Sequence, residues 1–122
     1  MTVLGLAVAG SLGAVLRYLV DRAVQARARS EFPYGTLVIN VTGSLILGFL
    51  TGAALHHHLA ADWLTVLGTG MIGAYTTFST FSFDNFRLLT GDAAGTALTN
   101  MVLSVVAGLA AAAAGLALGG LV

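Results

Sequence analysis

The sequence predicts an all-α membrane protein with four transmembrane helices, folded as a single domain over residues 1–122. Three observations lead there. Of the 122 residues, 57% are hydrophobic and only 8% charged, whereas soluble globular domains carry about 25% charged residues. Three long stretches, Phe32–Ala61, Trp63–Phe83 and Ala93–Val122, contain no charge at all. These stretches are also Ala- and Leu-rich on every face, with none of the apolar–polar alternation that a membrane barrel strand requires.

A helix needs roughly 20 apolar residues to cross a hydrocarbon layer about 30 Å thick. The first span is expected at about 3–21, since Met1–Leu16 is uncharged and the run continues to Val20 if Arg17 is tolerated. Met1–Gly10 lacks the basic stretch of a secretory signal and reads as the start of that helix. The second span, about 34–55, follows a polar connector carrying Asp21, Arg22, Arg27, Arg29 and Glu31, with Pro33 suited to a first helical turn. The third, about 64–86, starts after the short turn His56–Asp62 and after Trp63, an aromatic at headgroup level. The fourth, about 96–119, follows Arg87–Gly95, where Gly91 and Asp92 signal a turn. Gly48/Gly52 and Gly115/Gly119 recur at four-residue spacing and permit close helix approach.

Several functions are excluded early. Five basic residues balance five acidic ones, so no basic stripe is available for nucleic acid. Cysteine is absent, which removes disulfides and thiolate chemistry. No nucleophile–base pair, phosphate loop or carboxylate dyad is present, so no enzyme is expected. His56-His57-His58 does not read as a metal site: consecutive residues diverge on a helix, and only Asp62 lies nearby. A solvated turn is the expectation.

Polar residues at membrane depth are costly and face protein or water. Arg17 either snorkels to the interface beside Asp21 or gives a positive vestibule for an anion. Asn40 shares a helical face with Thr36 and Ser44; its amide serves either as an interhelical clamp or as a replacement for an anion's water. The stretch Gly68–Phe83 is a poor uninterrupted helix, with Gly68, Gly70 and Gly73 ahead of the β-branched Thr76 and Thr77. A break there would free backbone carbonyls for a cation; in a continuous helix the hydroxyls would bond the preceding turn. The pattern by itself leans to the continuous helix. Phe78 and Phe81 fall on one helical face, either as ordinary aromatic packing or as ring edges, weakly positive, that meet an anion.

Together these residues resemble the Fluc (CrcB) family of fluoride channels. Gly73-Ala74-Tyr75-Thr76-Thr77-Phe78-Ser79-Thr80-Phe81-Ser82 is similar to the family's G-G-x-T-T-F-S-T-F-S. Gly35-Thr36-Leu37-Val38-Ile39-Asn40-Val41-Thr42-Gly43-Ser44 is similar to its G-T-x-x-x-N-x-x-G-S/C. Gly10-Ser11-Leu12-Gly13-Ala14-Val15-Leu16-Arg17-Tyr18 is like its G-x-x-G-A-x-x-R-Y opening. The resemblance implies a third helix broken near Gly73–Thr77 and an antiparallel, dual-topology-type dimer in the cell membrane, with two fluoride pores. It implies Phe78 and Phe81 as pore phenylalanines, Asn40 as the pore amide, Thr80 as a pore-lining hydroxyl, and Ser104 in a polar track on the fourth span. It further implies a structural sodium ion held by the carbonyls of Gly73 and Thr76. Two departures stand out: Ala74-Tyr75 where relatives have a second glycine, and Asn100 where relatives often carry an aromatic hydroxyl.

The charges add an expectation of their own. All five basic residues, Arg17, Arg22, Arg27, Arg29 and Arg87, fall on one side of a four-span chain. By the positive-inside rule that side is cytoplasmic and both termini lie outside. So strong a bias points to pairing with an oppositely oriented paralogue as an alternative to self-pairing, and keeps a non-conducting partner subunit in view. The competing four-span class, a small multidrug transporter, needs an intramembrane carboxylate in the first span. Met1–Val20 has none.

Overall fold

The computed structural model describes residues 2–57 and 60–122. The described residues form helices joined by short connectors: α1 (Thr2–Ala28), α2 (Tyr34–His57), α3 (residues 61–75), α4 (Phe78–Thr90) and α5 (Ala94–Gly119). Helices α1, α2 and α5 are each long and apolar enough to cross a membrane. Helices α3 and α4 are the two halves of one helical segment, broken at Thr76–Thr77. Neither half alone covers about 30 Å at 1.5 Å per residue. The protein is therefore an all-α, multi-pass membrane protein of four helices, one of them interrupted.

Helix α1 runs past the expected boundary at residue 21 to Ala28, and Arg29 ends it in a left-handed conformation at φ 47°. The Gln25 side chain then staples the connector. Its amide donates to Ser30 O (2.6 Å) and Phe32 O (3.1 Å), and its oxygen accepts from Gly35 N (3.3 Å). Pro33 sits one place earlier than expected, just ahead of α2, where its carbonyl accepts from Leu37 N. The turn after α4 pivots on Asp92 at φ 60°, not on Gly91; aspartate is among the few side chains that tolerate that region. The histidine run falls partly outside the described residues, at His58. His56 Nδ1 lies 2.9 Å from Gly52 O.

The two glycine pairs find each other. A side chain at Gly48 or Gly52 would collide with the backbone carbonyls of Ala112 and Leu116, and one at Gly115 or Gly119 with those of Leu45 and Phe49. The backbones of α2 and α5 thus touch directly, which in a bilayer supplies the dispersion contact that hydrophobicity cannot. Helix α1 seats on α3 in the same manner, Gly13 lying against the Met71 carbonyl.

The distribution of polarity is inverted relative to a soluble domain. Val3, Leu4, Leu55, Leu109 and Leu121 are exposed, whereas Thr36, Thr77, Asn85 and Asn100 are buried. Lipid-facing apolar residues and an inward polar set are what a bilayer solvent selects.

Candidate functional site

The site is built around the break between α3 and α4. Upstream, residues Leu64–Ile72 form widened π-type turns, a geometry that is rare and accompanies functional segments. The regular turn Gly73–Tyr75 follows, and then Thr76 (ψ 159°) and Thr77 (φ −149°, ψ 123°) are extended. Thr77 caps α4: its hydroxyl oxygen accepts from Thr80 N at 3.1 Å and its proton goes to Thr80 Oγ1 at 3.0 Å. The structure thus has the break near Gly73–Thr77, although composition by itself leaned to a continuous helix.

What holds the extended residues is Asn40. Its Nδ2 donates to Thr77 O at 2.9 Å, and its Oδ1 accepts from Thr77 N at 2.8 Å. One side-chain amide so replaces the backbone partners that the break removes. The second Nδ2 hydrogen is left over from this pairing. Thr77 N–H would close an α-helical bond to Gly73 O but is turned to Asn40 instead. In the same way, Thr80 N–H is turned from Thr76 O to the Thr77 hydroxyl. The carbonyls of Gly73 and Thr76 are therefore released from helical bonding. Arg17 Nη1 donates to Thr76 O at 3.4 Å, so its guanidinium turns inward to the break.

Two grooves flank this segment. One, of about 350 Å³, is lined by Asn40, Ser44, Thr76, Thr77, Phe78, Phe81 and Ser104. It brings together four of the expected site residues from α2, α4 and α5. The Phe78 and Phe81 ring centroids lie 5.9 Å apart, tilted by 38°. Phe78 is 79% exposed, so the groove is open along one flank. The second groove is lined by Arg17, Tyr18, Asp21, Thr36, Thr77 and Thr80, and Thr36 Oγ1 donates to Asp84 Oδ2 at 2.8 Å. Thr77 borders both grooves. Thr80 and Arg17 are therefore on the charged side, away from the phenyl rings. Gly73 lies on the outer surface, with room around it.

Of the two departures from the Fluc pattern, Tyr75 is a packing residue. It is buried, its ring lies against Gly43, and its hydroxyl is 3.0 Å from Thr42 Oγ1. Asn100 is almost completely buried and joins a chain of side-chain bonds. Asn85 Nδ2 donates to Phe81 O (2.9 Å), Asn100 Nδ2 to Asn85 Oδ1 (3.0 Å), and Ser104 Oγ to Asn100 Oδ1 (3.3 Å). Asn85 and Asp84 were not singled out from the sequence, and Thr77 was singled out only as a weak helix former at the break. Asn85 carried the signal that marked Asn40, an amide within an apolar helix; the capping role of Thr77 appears only once the helix is seen to break.

Comparison with known proteins agrees with this geometry. The profile of the family described as CrcB-like protein, Camphor Resistance (CrcB), matches residues 4–116. Relatives include "Fluoride-specific ion channel FluC 1" of Leifsonia xyli subsp. xyli, 48% identical over 99% of this chain and 88% of the relative. "Fluoride-specific ion channel FluC 2" of Mycobacterium tuberculosis is 49% identical over 92% of this chain and 86% of its own length. "Fluoride-specific ion channel FluC 1" of Nocardia farcinica is 51% identical over 89% and 74%. With the family profile spanning nearly the whole chain and half of all aligned residues identical to these channels, the protein belongs to the CrcB family.

Proposed function

We propose that this chain is a subunit of a fluoride-selective channel in the cell membrane, letting fluoride leave passively and so lowering its cytoplasmic concentration. The observation that carries the reading is the convergence of Asn40, Phe78, Phe81 and Ser104, from three helices, on one groove beside the break. Fluoride is small and strongly hydrated, so a path must replace its water. The remaining Asn40 N–H offers a donor and the two phenyl edges offer weak positive contacts. Such contacts are individually weak, which lets the ion leave again.

The groove is open on one flank at the exposed Phe78, and the exposed Gly73 stands close by in the chain with released carbonyls. Lipid cannot satisfy those polar groups, so a second subunit packed antiparallel against this face is the arrangement that supports conduction. In that dimer Gly73 O and Thr76 O suit a structural sodium ion. Both are neutral carbonyl donors without their helical partners, and Arg17 takes only one of the two lone pairs on Thr76 O. The bias of the arginines to one side favours an oppositely oriented paralogue as the second subunit.

The test is fluoride efflux from liposomes, followed with a fluoride electrode. Phe78→Ile and Phe81→Ile each should lower the rate by at least about tenfold, since isoleucine retains bulk but has no positive ring edge. Unchanged efflux in both variants would remove the phenyl groups from the path.

A further inference from the structure

The side-chain bonds linking α4 and α5 have a direction that fixes where the Ser104 proton points. Phe81 O can only accept. Asn85 must therefore present its NH₂ to it, and so turns Oδ1 to Asn100. Asn100 must answer with its own NH₂ and turns Oδ1 to Ser104. Ser104 is left to donate. The two amides are 3% and 1% exposed, so water does not supply an alternative partner. Elsewhere in the helices Ser11, Ser44, Thr51 and Thr99 donate to the backbone carbonyl one turn earlier. Ser104 departs from them by donating to a side chain. Its lone pairs, not its proton, are then what it presents to the Phe78–Phe81 groove, and lone pairs repel an anion.

We propose that Asn85 and Asn100 are positioning residues that hold the Ser104 proton out of the groove and yield it only when an anion arrives. The Ser104–Asn100 bond, at 3.3 Å, is the longest link in the chain and the one that breaks. Once the hydroxyl swings toward the ion, Asn100 Oδ1 loses its donor. Each passage is thereby opposed by a buried acceptor, which weakens ion retention and favours release. This proposal rests on the fluoride-channel reading.

The experiment measures the half-saturating fluoride concentration for efflux from liposomes. The channel is reconstituted from this chain and, where conduction needs it, the oppositely oriented partner. Asn85→Leu with Asn100→Leu replaces the amide pair with apolar side chains of similar volume and frees Ser104 to donate. Half-saturation should fall about threefold. Ser104→Ala should raise it about threefold in the wild type but more than tenfold in the double variant, a coupling that a merely structural amide pair would not produce. Should the double variant fail to fold, Asn85→Ala alone leaves Asn100 able to reverse its amide and should shift half-saturation in the same direction. Equal Ser104→Ala effects in every background that folds would overturn the positioning role while leaving the channel reading intact. A wild-type channel that passes no fluoride would overturn both.

Discussion

At the residue scale, Asn40 is an interhelical clamp, one of the two roles left open when only its position in an apolar run was known; contact with an anion belongs to the proposed function. The clamp on Thr77 uses the amide oxygen and one amide hydrogen and leaves the other hydrogen out of this pairing. Asn40→Leu leaves Thr77 N–H and C=O without partners at a buried position. Each such orphan costs about 1–3 kcal/mol, so stability in detergent should fall by about 2–6 kcal/mol, read from the thermal unfolding transition. Efflux should vanish in the same variant. The sequence made Asn40 conspicuous because an amide stands out among Val, Ile and Leu. It did not reveal the partner, because any residue type can offer the backbone groups Asn40 holds. Thr80 illustrates the converse. Two residues after Phe78 and one before Phe81, it lies around the helix from both, since neighbours at those spacings do not share a face. The sequence motif groups it with them, but the helix does not.

At the element scale, the spans were legible because bilayer thickness sets helix length, and the observed helices extend the expected boundaries by a few residues. Which helices pair was not legible. Gly48/Gly52 and Gly115/Gly119 mark close approach, but spacing carries no address, and a glycine-rich chain offers many such pairs. In the structure α2 and α5 meet through both motifs. Gly115→Val should drive a side chain into the Leu45 carbonyl, destabilising the fold by at least about 2 kcal/mol and reducing the yield of folded protein. Gly95→Ala is the matched control. Nothing lies within 4 Å of a methyl group there, and alanine favours the helix by up to about 1 kcal/mol. Its transition temperature should be unchanged or raised. The break between α3 and α4 was the feature hardest to read, since glycine and threonine lower helix propensity without saying whether the helix yields.

At the scale of the whole molecule, the placement of the arginines predicts a fixed orientation. The chain has no cysteine, so single cysteines can be introduced as reporters. One at Gly95 should react with an impermeant thiol reagent from the cytoplasmic side only, and one at Leu121 from the outside only. Equal labelling of each from both sides would show that the chain inserts both ways and pairs with itself. With a fixed orientation, the chain alone should give at most a small fraction of the efflux obtained when an oppositely biased subunit is supplied.

The interruption at Thr76–Thr77 has an electrical consequence as well. A helix carries roughly half a positive charge at its amino end and half a negative charge at its carboxyl end. Where α3 stops and α4 begins, a negative pole and a positive pole face each other across two residues, deep in a medium that screens little. The Arg17 guanidinium beside Thr76 O stands at the negative pole. The positive pole opens beside the phenyl rings. The break therefore sets two opposite potentials side by side, in an order fixed by the direction of the backbone.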